Sequence, residues 1–564
     1  MFIPATKEEL KQLNWTDLDI ILVSGDAYID NSFNGIAIIG KCLLEKGYKV
    51  AIIPQPIINS DIDIMKFGNP KLFWGISSGS MDSMVANYTA LKKKRKNDAL
   101  TAGSINNKRP DRAIIRYVNL IKQYYDKKVP IIIGGIEASL RRITHYDYWE
   151  NSLRRSILLD SKADILVYGE GEKTIIELAE KIKNNQSIET QRGICYTISQ
   201  KEIETLKGNS ILLPSHEEVT INKNKFIELF NTFYNNNDPL NSKRLIQTVN
   251  NRVLVQNPPN YYLSTEELDK VYNYEYENKA HPIYNKEGKI KALDTTKFSI
   301  TSHRGCFREC NFCAIAVHFG KTIRSRSETS ILKEANKFAK DKNFKGIIYD
   351  VGGASANMYK MHCNQQEKYG SCKNKRCLTP ELCKNREINH KAHLKLLKNI
   401  LKIPNIHKIF VTSGIRYDLI MKDKINGNNY LNYIVSNCIS GQMKIAPEHT
   451  EKQVLELMAK PLSDLQTFYE KFKKISKENN KKQFLTYYLM AGHPGCTLED
   501  MKKMKKFFSK KINILPEQVQ IFTPTPSTYS TLMYYTKENP FNKKEVFVEK
   551  KLKNLLKQKE IITK

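Results

Sequence analysis

Short apolar runs alternate with amphipathic stretches through the first third of the chain. Five runs rich in Ile, Val and Leu predict β-strands over 19–25, 49–54, 71–77, 129–135 and 163–169. Between several of them lie segments such as 35–47 and 111–128, whose apolar residues recur with helical spacing. Continuously apolar strands that are separated by helices are typical of a parallel sheet covered on both faces. We therefore predict a doubly wound α/β domain over residues 1–195.

The same alternation returns after a polar stretch. Residues 196–295 contain helical pieces but no convincing series of strands, and they are predicted to form a connecting region. Six β-rich segments then follow at 298–303, 346–353, 408–414, 441–448, 484–492 and 517–526. Six βα units predict a partial (β/α)6 barrel over 296–536, with ligands bound at the carboxyl ends of its strands. Residues 537–564 are predicted to be a basic C-terminal tail.

Length, charge and apolar content limit the class of protein. A chain of 564 residues is too long for one hydrophobic core. No apolar run predicts a membrane span and no leader pattern is visible, so we expect a cytoplasmic protein with reduced thiols. The net charge of +31 leaves two interpretations open: a solvated surface rich in lysine, or a surface that binds nucleic acid.

Three cysteines stand close together after the first strand of the predicted barrel. The segment HRGCFRECNFC places Cys306, Cys310 and Cys313 in the spacing C-x3-C-x2-C. Structural zinc sites and most iron–sulfur clusters take four protein ligands. Three thiolates on one loop can instead hold three irons of a 4Fe–4S cluster and leave the fourth iron open.

This spacing, with Phe312 before the last cysteine, resembles the radical S-adenosylmethionine (SAM) superfamily. The resemblance implies that SAM binds the open iron and is cleaved reductively to a 5′-deoxyadenosyl radical. It also implies cofactor-binding residues at later strand ends, namely Gly352 and Gly353 for the SAM amino group and Ser413, Arg416 and Glu448 for the ribose and carboxylate. Ala354 stands where an acidic residue is frequent, so backbone carbonyls would have to accept the hydrogen bond of the amino group.

Longer segments resemble the YgiQ-type (UPF0313) radical SAM proteins along nearly the whole chain. Examples are VQNPPNYYLSTEELDKVY (255–272), DVGGASANMY (350–359) and FTPTPSTYSTLMYYT (522–536). The resemblance implies a cobalamin-binding-like N-terminal domain and a reductant of the flavodoxin or ferredoxin type, but no substrate. The loop 25–35 after the first strand lacks a histidine to ligate cobalt. The domain therefore binds no cobalamin, binds it without a protein ligand or serves as a scaffold, and we do not expect cobalamin.

A second group of cysteines lies in the insertion 360–390 that follows the second barrel strand. Its members are Cys363, Cys372, Cys377 and Cys383. Two interpretations stay open, a structural zinc site and an auxiliary iron–sulfur cluster, and either metal would supply folding energy to a polar insertion. Of the single cysteines, Cys42, Cys195 and Cys438 are predicted to be packing residues, and Cys496 is a functional candidate.

The sequence thus predicts a radical SAM enzyme that acts on an unknown, large substrate such as RNA or protein. The alternative, from another class, is a non-catalytic iron–sulfur protein that senses redox state or binds nucleic acid. No catalytic residue is assigned beyond the cluster ligands, and the sequence gives no oligomeric state.

Overall fold

The computed structural model describes residues 1–125, 129–206, 208–462 and 464–563. Contacts within the chain divide it into two compact units, one of Met1–Leu263 with Lys270–Lys297 and one of Ser264–Asp269 with Phe298–Lys564. Within these described ranges, no helix combines the length and the apolar character needed to cross a membrane.

The first unit is a mixed α/β structure. Its strands are β1 (Ile20–Ser24), β2 (Ile29–Asp30), β3 (Val50–Pro54), β4 (Phe73–Ser77), β5 (Ile131–Gly134), β6 (His145–Asp147), β7 (Ser152–Arg154), β8 (Ile165–Val167), β9 (Ile194–Ser199), β10 (Ser210–Leu212), β11 (Arg244–Val249), β12 (Arg252–Gln256) and β13 (Lys279–Ala280). Its α-helices are α1 (Lys7–Gln12), α2 (Gly35–Glu45), α3 (Ser83–Asn87), α4 (Ala113–Tyr124), α5 (Gly135–Leu140), α6 (Ile157–Ser161), α7 (Glu172–Lys183), α8 (His216–Ile221), α9 (Lys223–Asn235), α10 (Thr265–Asn273), which starts in the second unit, and α11 (Leu293–Thr296). Short 3-10 helices cover Ala102–Ser104, Gln200–Thr205 and Pro282–Tyr284.

Nine of these strands form one sheet in the order β10-β11-β12-β9-β8-β5-β4-β1-β3. The neighbours β3, β1, β4, β5 and β8 are parallel, which confirms the five predicted strands and their doubly wound arrangement. All five residues of β1 are buried, as expected for a central strand that helices cover on both faces.

The prediction that 196–295 is a connecting region without strands is wrong. β9, β12 and β11 extend the sheet by antiparallel pairing. Asn250 and Asn251 form the two-residue turn between β11 and β12, and Asn250 adopts a positive φ of 50°, as tight hairpin turns require. The strands were hidden because buried Gln247 interrupts the apolar run of β11, and the apolar run of β12 is only the three residues before buried Gln256. Their amides are hydrogen-bonded, Gln247 to the Pro214 carbonyl at 3.3 Å.

The second unit repeats the β/α alternation. Its strands are β14 (Ser299–Thr301), β15 (His303–Arg304), β16 (Arg324–Ser325), β17 (Ile347–Ile348), β18 (Asp350–Gly352), β19 (Lys408–Ile409), β20 (Gln442–Glu448), β21 (Phe484–Ala491) and β22 (Val519–Ile521). Its helices are α12 (Ile315–His318), α13 (Glu328–Ala339), α14 (Asn364–Tyr369), α15 (Lys391–Ile400), α16 (Tyr417–Lys422), α17 (Gly427–Asn437), α18 (Lys452–Leu457), α19 (Leu465–Glu478), α20 (Leu498–Phe507), the π-helical turn Phe508–Ile512, α21 (Tyr529–Thr536) and α22 (Leu552–Thr563).

Apart from the antiparallel pair of β15 and β16, the strands of the second unit pair in parallel and in chain order. β14 pairs with β18, β17 with β19, β20 with β21, and β21 with β22. A parallel bridge between Ile415 and Ile445 joins the segment after β19 to β20. The six predicted β-rich segments are therefore parallel neighbours, whereas their closure into a partial (β/α)6 barrel stays a prediction.

Residues 537–564 are not a basic tail, which corrects the sequence prediction. Leu555 and Ile562 of α22 are buried in the second unit. The buried Gln558 amide accepts a hydrogen bond from the Gly492 nitrogen at 2.8 Å and donates one to the Cys496 carbonyl at 3.1 Å. The apolar face of this helix was obscured in the sequence by the lysines of its opposite face.

Candidate iron–sulfur site

The three-cysteine loop is held between two short strands. β15 and β16 pair antiparallel and enclose residues 305–323. Gly305 has a φ of 87°, and a Cβ at this position would lie 2.1 Å from the Thr322 carbonyl oxygen. A side chain cannot be placed there, so this glycine lets the chain turn directly into the cysteines. The Cys306 nitrogen then donates to the Gly320 carbonyl at 3.2 Å and closes the loop.

Asn311 anchors the centre of the loop to the end of α18. Its backbone nitrogen donates to the Met458 carbonyl at 3.0 Å, and its amide donates to the Leu457 carbonyl at 2.8 Å. The Cys313 nitrogen donates to the Cys310 carbonyl at 3.0 Å, which makes a tight turn between these two cysteines. The backbone around the thiols is thus fixed by hydrogen bonds.

The three thiols lie in one electrostatic environment. Burial raises the pKa of Cys306 and Cys313, and the neighbouring Cys310 raises the pKa of each of them further. The guanidinium of Arg308 acts in the opposite direction on the pKa of both groups. Arg308 is buried, and among the described atoms its Nε has no hydrogen-bond partner.

This donor set fits a 4Fe–4S cluster. A cluster bound by thiolates is negatively charged, and a buried cation with an unsatisfied N–H group compensates such a charge. In the described part of the chain, no three His, Cys, Asp or Glu side chains are arranged to hold a metal ion. Three thiolates on one loop can each bind a different iron of a cluster, which leaves the fourth iron without a protein ligand.

Packing requires glycine at position 353 of the predicted SAM motif and leaves little room at position 352. A Cβ on Gly353 would lie 2.6 Å from the His303 carbonyl oxygen and 2.8 Å from its Nε2. A Cβ on Gly352 would lie 3.0 Å from the Cα of Ala356. The Gly352 carbonyl already accepts a hydrogen bond from the Ser302 nitrogen at 2.7 Å. The segment of β14 and β15 that leads to the cysteines therefore packs directly on the end of β18.

Ser413 is tied to a carboxylate that the sequence prediction did not include. Asp350 in β18 accepts hydrogen bonds from the nitrogens of Thr412 and Ser413, at 2.8 Å and 3.0 Å, and from the Ser413 hydroxyl. Burial raises the pKa of Asp350, while these donors lower it. Asp350 thus fixes the position of the predicted ribose-binding segment.

Arg416 and Glu448 belong to a buried group of charges near the cysteines. Arg416 donates to Asp418 through Nε at 2.7 Å and through Nη2, while its Nη1 has no hydrogen-bond partner among the described atoms. Glu448 ends β20, and its Oε1 lies 3.4 Å from the Nζ of Lys460. Burial, and next Arg308, lower the pKa of Lys460 to about 7.

The fold therefore brings most of the predicted site residues together. Arg416 interacts electrostatically with Cys306, and Lys460 links Glu448 to Cys310 and Arg308. Of the residues that the prediction missed, Arg308 was visible between the first two cysteines. Lys460 had no sequence signal, because it follows α18 and only the fold brings it to this place.

An open cavity adjoins this group of charges. It holds about 670 Å³ of empty space, part of which is open to solvent. Its lining includes Arg308, Asp418, Lys460 and His449. Polar and charged groups beside the cysteine loop are suited to a ligand with both anionic and hydroxyl groups.

Comparison with known proteins identifies the family. The family model described as Radical SAM N-terminal matches residues 2–299. The chain is 51% identical over 564 residues to the UPF0313 protein FN0734 of Fusobacterium nucleatum, covering 100% of this chain and 98% of the relative. It is 44% identical over 566 residues to a UPF0313 protein of Thermotoga neapolitana, covering 99% of this chain and 98% of that one. The chain belongs to the UPF0313 radical SAM proteins.

Solved structures support the fold of this UPF0313 chain. The radical SAM methyltransferase TsrM of Kitasatospora setae, solved with tryptophan and a SAM analogue, matches with a TM-score of 0.52 and 13% identity, over 90% of this chain and 75% of TsrM. The cobalamin-dependent SAM radical enzyme OxsB matches with a TM-score of 0.51 and 13% identity, over 98% of this chain and 57% of OxsB. At this identity the similarity extends to the fold alone.

The comparisons do not support the expectation that cobalamin is absent from this UPF0313 protein, because both neighbours have been solved with cobalamin bound. Here the loop ends of the parallel sheet are occupied by side chains. Fully buried Arg109 lies 2.5 Å from Asp26, which follows β1, and 3.1 Å from Asp98. Gln55, after β3, donates to the Gly25 carbonyl at 3.0 Å.

The single cysteines are buried, which confirms Cys42, Cys195 and Cys438 as packing residues. Cys496, the functional candidate, is buried as well, with its Sγ 3.6 Å from the Nε2 of His449. Burial raises the pKa of Cys496 to about 12, so its thiol stays protonated and is a poor nucleophile at neutral pH.

The four cysteines of the insertion 360–390 line a second cavity. Cys363, Cys372, Cys377 and Cys383 all border the same space, which holds about 420 Å³ and is partly open to solvent. Cys372 is exposed, and the other three are partly buried. The structure thus brings together four thiols that are up to 20 positions apart in the sequence.

Proposed function

We propose that this UPF0313 protein is a radical SAM enzyme with a 4Fe–4S cluster on Cys306, Cys310 and Cys313. The observation that carries the proposal is the arrangement of three thiols on one loop beside the unpartnered guanidinium nitrogen of Arg308. The reduced cluster with SAM on its open iron would supply one electron to cleave SAM into methionine and a 5′-deoxyadenosyl radical.

The residues around the loop would hold and orient SAM. The Nη1 of Arg416 is buried and without a hydrogen-bond partner in the described part of the structure, and it is our candidate for the SAM carboxylate. Glu448 would accept hydrogen bonds from ribose hydroxyls, and Lys460 keeps that carboxylate in place. We assign the SAM amino group to the glycine segment 352–353 and the ribose also to Ser413, which Asp350 positions.

Production of 5′-deoxyadenosine tests this function. Anaerobically reconstituted protein is mixed with SAM and dithionite, beside a Cys306→Ala variant and a matched Cys438→Ala variant. Cys438 lies in the hydrophobic core of the same unit and serves as the control for loss of a buried thiol. We expect 5′-deoxyadenosine from the wild type and from Cys438→Ala but not from Cys306→Ala. A reducible cluster that yields no 5′-deoxyadenosine would contradict the enzyme and favour the non-catalytic redox protein.

We propose that the substrate is a large polyanion, and we favour RNA over a protein. The net charge of +31 supports this choice, since basic surfaces bind nucleic acid through phosphate contacts. The logarithm of the binding constant for a fluorescent RNA should fall linearly with the logarithm of the salt concentration. Binding that is absent or independent of salt would remove RNA from the proposal and leave the radical chemistry unaffected.

A further inference from the structure

The insertion after β18 forms a cage of thiols around the second cavity. Four cysteines border this space, and the Cys383 nitrogen donates to the Cys377 carbonyl at 2.9 Å. That bond closes the loop of residues 377–383, and the two cysteines at its ends both border the cavity. Apart from α14, the described residues between β18 and α15 contain no regular helix or strand. The cage is therefore formed by loop segments that need an internal support.

One buried arginine supports this cage. The Nη2 of Arg386 donates to the Oε1 of Gln366 at 2.6 Å and to the Sγ of Cys377 at 3.4 Å. Gln366 in turn donates to the Ser371 hydroxyl at 3.0 Å. Arg386 is 4% exposed, borders the cavity, and its Nε has no hydrogen-bond partner among the described atoms. A buried N–H group without a partner is costly unless a ligand accepts its hydrogen bond.

Positive charge predominates around the cage. Lys375, Arg376 and Arg386 border the cavity, as does Lys321, which is paired with Glu309 at 2.6 Å. Four thiolates that bind a metal cluster carry a net negative charge, and the basic residues offset it.

We propose that Cys363, Cys372, Cys377 and Cys383 bind a second iron–sulfur cluster of the 4Fe–4S type. A zinc ion needs every sulfur at about 2.3 Å from one point. All four thiols border one space of about 420 Å³, which is larger than a single zinc ion occupies. A cluster suits such a space, because each thiolate binds a different iron. Four thiolates also complete the coordination shell, so this cluster differs from the first in having no open iron.

The proposed cluster adjoins the first cysteine loop. Glu309, which lies between Cys306 and Cys310 in the sequence, borders the second cavity. Arg376 donates to the Glu309 carbonyl at 2.9 Å and to the Asn311 side chain at 2.7 Å. The guanidinium of Arg386 also stacks on the ring of Phe307, at 4.2 Å from its centroid. The two sets of thiols are thus held by one continuous group of contacts.

Metal analysis of the full chain tests the proposal. Protein reconstituted anaerobically with ferrous iron and sulfide is assayed for iron, acid-labile sulfide and zinc in four forms: wild type, Cys306→Ala/Cys310→Ala/Cys313→Ala, Cys363→Ala/Cys372→Ala, and the control Cys438→Ala. We expect about eight irons per chain in the wild type and the control, and about four in each of the other two variants. The electron paramagnetic resonance spectrum of the reduced triple variant should not change on addition of SAM, because all four irons are already ligated.

Four outcomes would overturn the second cluster. They are a triple variant without iron, a triple variant that holds one zinc in place of iron, a SAM-dependent spectrum of that variant, and a Cys363→Ala/Cys372→Ala variant that keeps the iron content of the wild type. The triple variant leaves the insertion intact, so the test stands even where the Cys363→Ala/Cys372→Ala variant fails to fold. About four irons in the wild type and none in the triple variant would reject the second cluster while leaving the first in place. About four irons in both would reject the first and support the second.

Discussion

Replacing Gly353 with alanine would place a methyl group where the structure has no room for one. The added Cβ would lie 2.6 Å from the His303 carbonyl oxygen and 2.8 Å from its Nε2. His303 cannot easily move away, because it is 1% exposed and its Nε2 hydrogen-bonds the Ser355 carbonyl at 3.0 Å. Gly414 is a matched control in the same unit, since a Cβ there would meet nothing within 4 Å.

The cost of this substitution follows from the overlap. Forcing an extra methyl group into a packed interior costs about 1–3 kcal/mol of unfolding free energy. In domains of 150–250 residues each kcal/mol lowers the unfolding midpoint by about 2–4 °C. Gly353→Ala should therefore unfold several degrees below the wild type. Gly414→Ala should stay within about 0.5 kcal/mol of the wild type, as expected for a substitution that meets open space.

Thermal unfolding without SAM and the rate of iron loss to a chelator measure the effect. We expect a lower midpoint and faster iron loss for Gly353→Ala, because His303 lies three residues before Cys306 and its displacement disturbs the cysteine loop. Equal stability of Gly353→Ala and Gly414→Ala in the absence of SAM would refute the packing role. The glycine would then be explained by contact with SAM alone.

Three further predictions concern the charges and thiols of the site. Arg308→Met should lower the reduction potential of the cluster by about 40 mV or more, which is equivalent to about 1 kcal/mol for a one-electron couple. Arg308→Lys keeps the positive charge and should retain most of the potential. A redox titration that shows no difference between Arg308→Met and the wild type would contradict the role of this cation. Asp350→Ala leaves the nitrogens of Thr412 and Ser413 without their acceptor, so SAM should bind at least about tenfold more weakly by equilibrium dialysis, and unchanged affinity would reject the positioning role. The raised pKa of Cys306 and Cys313 keeps both thiols protonated at neutral pH, and protons must leave before iron binds. Iron uptake should therefore accelerate from pH 7 to 9, and a rate independent of pH would disprove this.

The sequence pattern was sufficient to predict strands whose residues are buried on both faces of the sheet. β1, β3 and β4 are apolar over most of their length because helices cover both faces of the sheet, and the runs of Ile and Val show this directly. β11 and β12 were missed because Gln247 and Gln256 are buried polar residues with tertiary hydrogen-bond partners. No local pattern reports a partner that lies far away in the sequence.

The candidate site, too, was predictable only where its residues lie close together in the sequence. The cysteine spacing predicted a candidate metal-binding loop, because residues that are close in sequence are close in space. Lys460 and Asp350 were missed, since each takes its role from a partner in a distant segment of the chain. The four cysteines of the insertion were predicted as a group, but their arrangement around one cavity and the support from Arg386 came only from the fold.

The central claim is that a cluster on Cys306, Cys310 and Cys313 has one iron free to bind SAM. The most direct measurement is electron–nuclear double resonance on the reduced Cys363→Ala/Cys372→Ala variant, which would hold this cluster alone, with SAM labelled with 17O in its carboxylate and 15N in its amino group. The account predicts hyperfine coupling of both labels to the cluster and loss of this coupling in Cys306→Ala. A reduced cluster whose spectrum shows no coupling to bound SAM would contradict it.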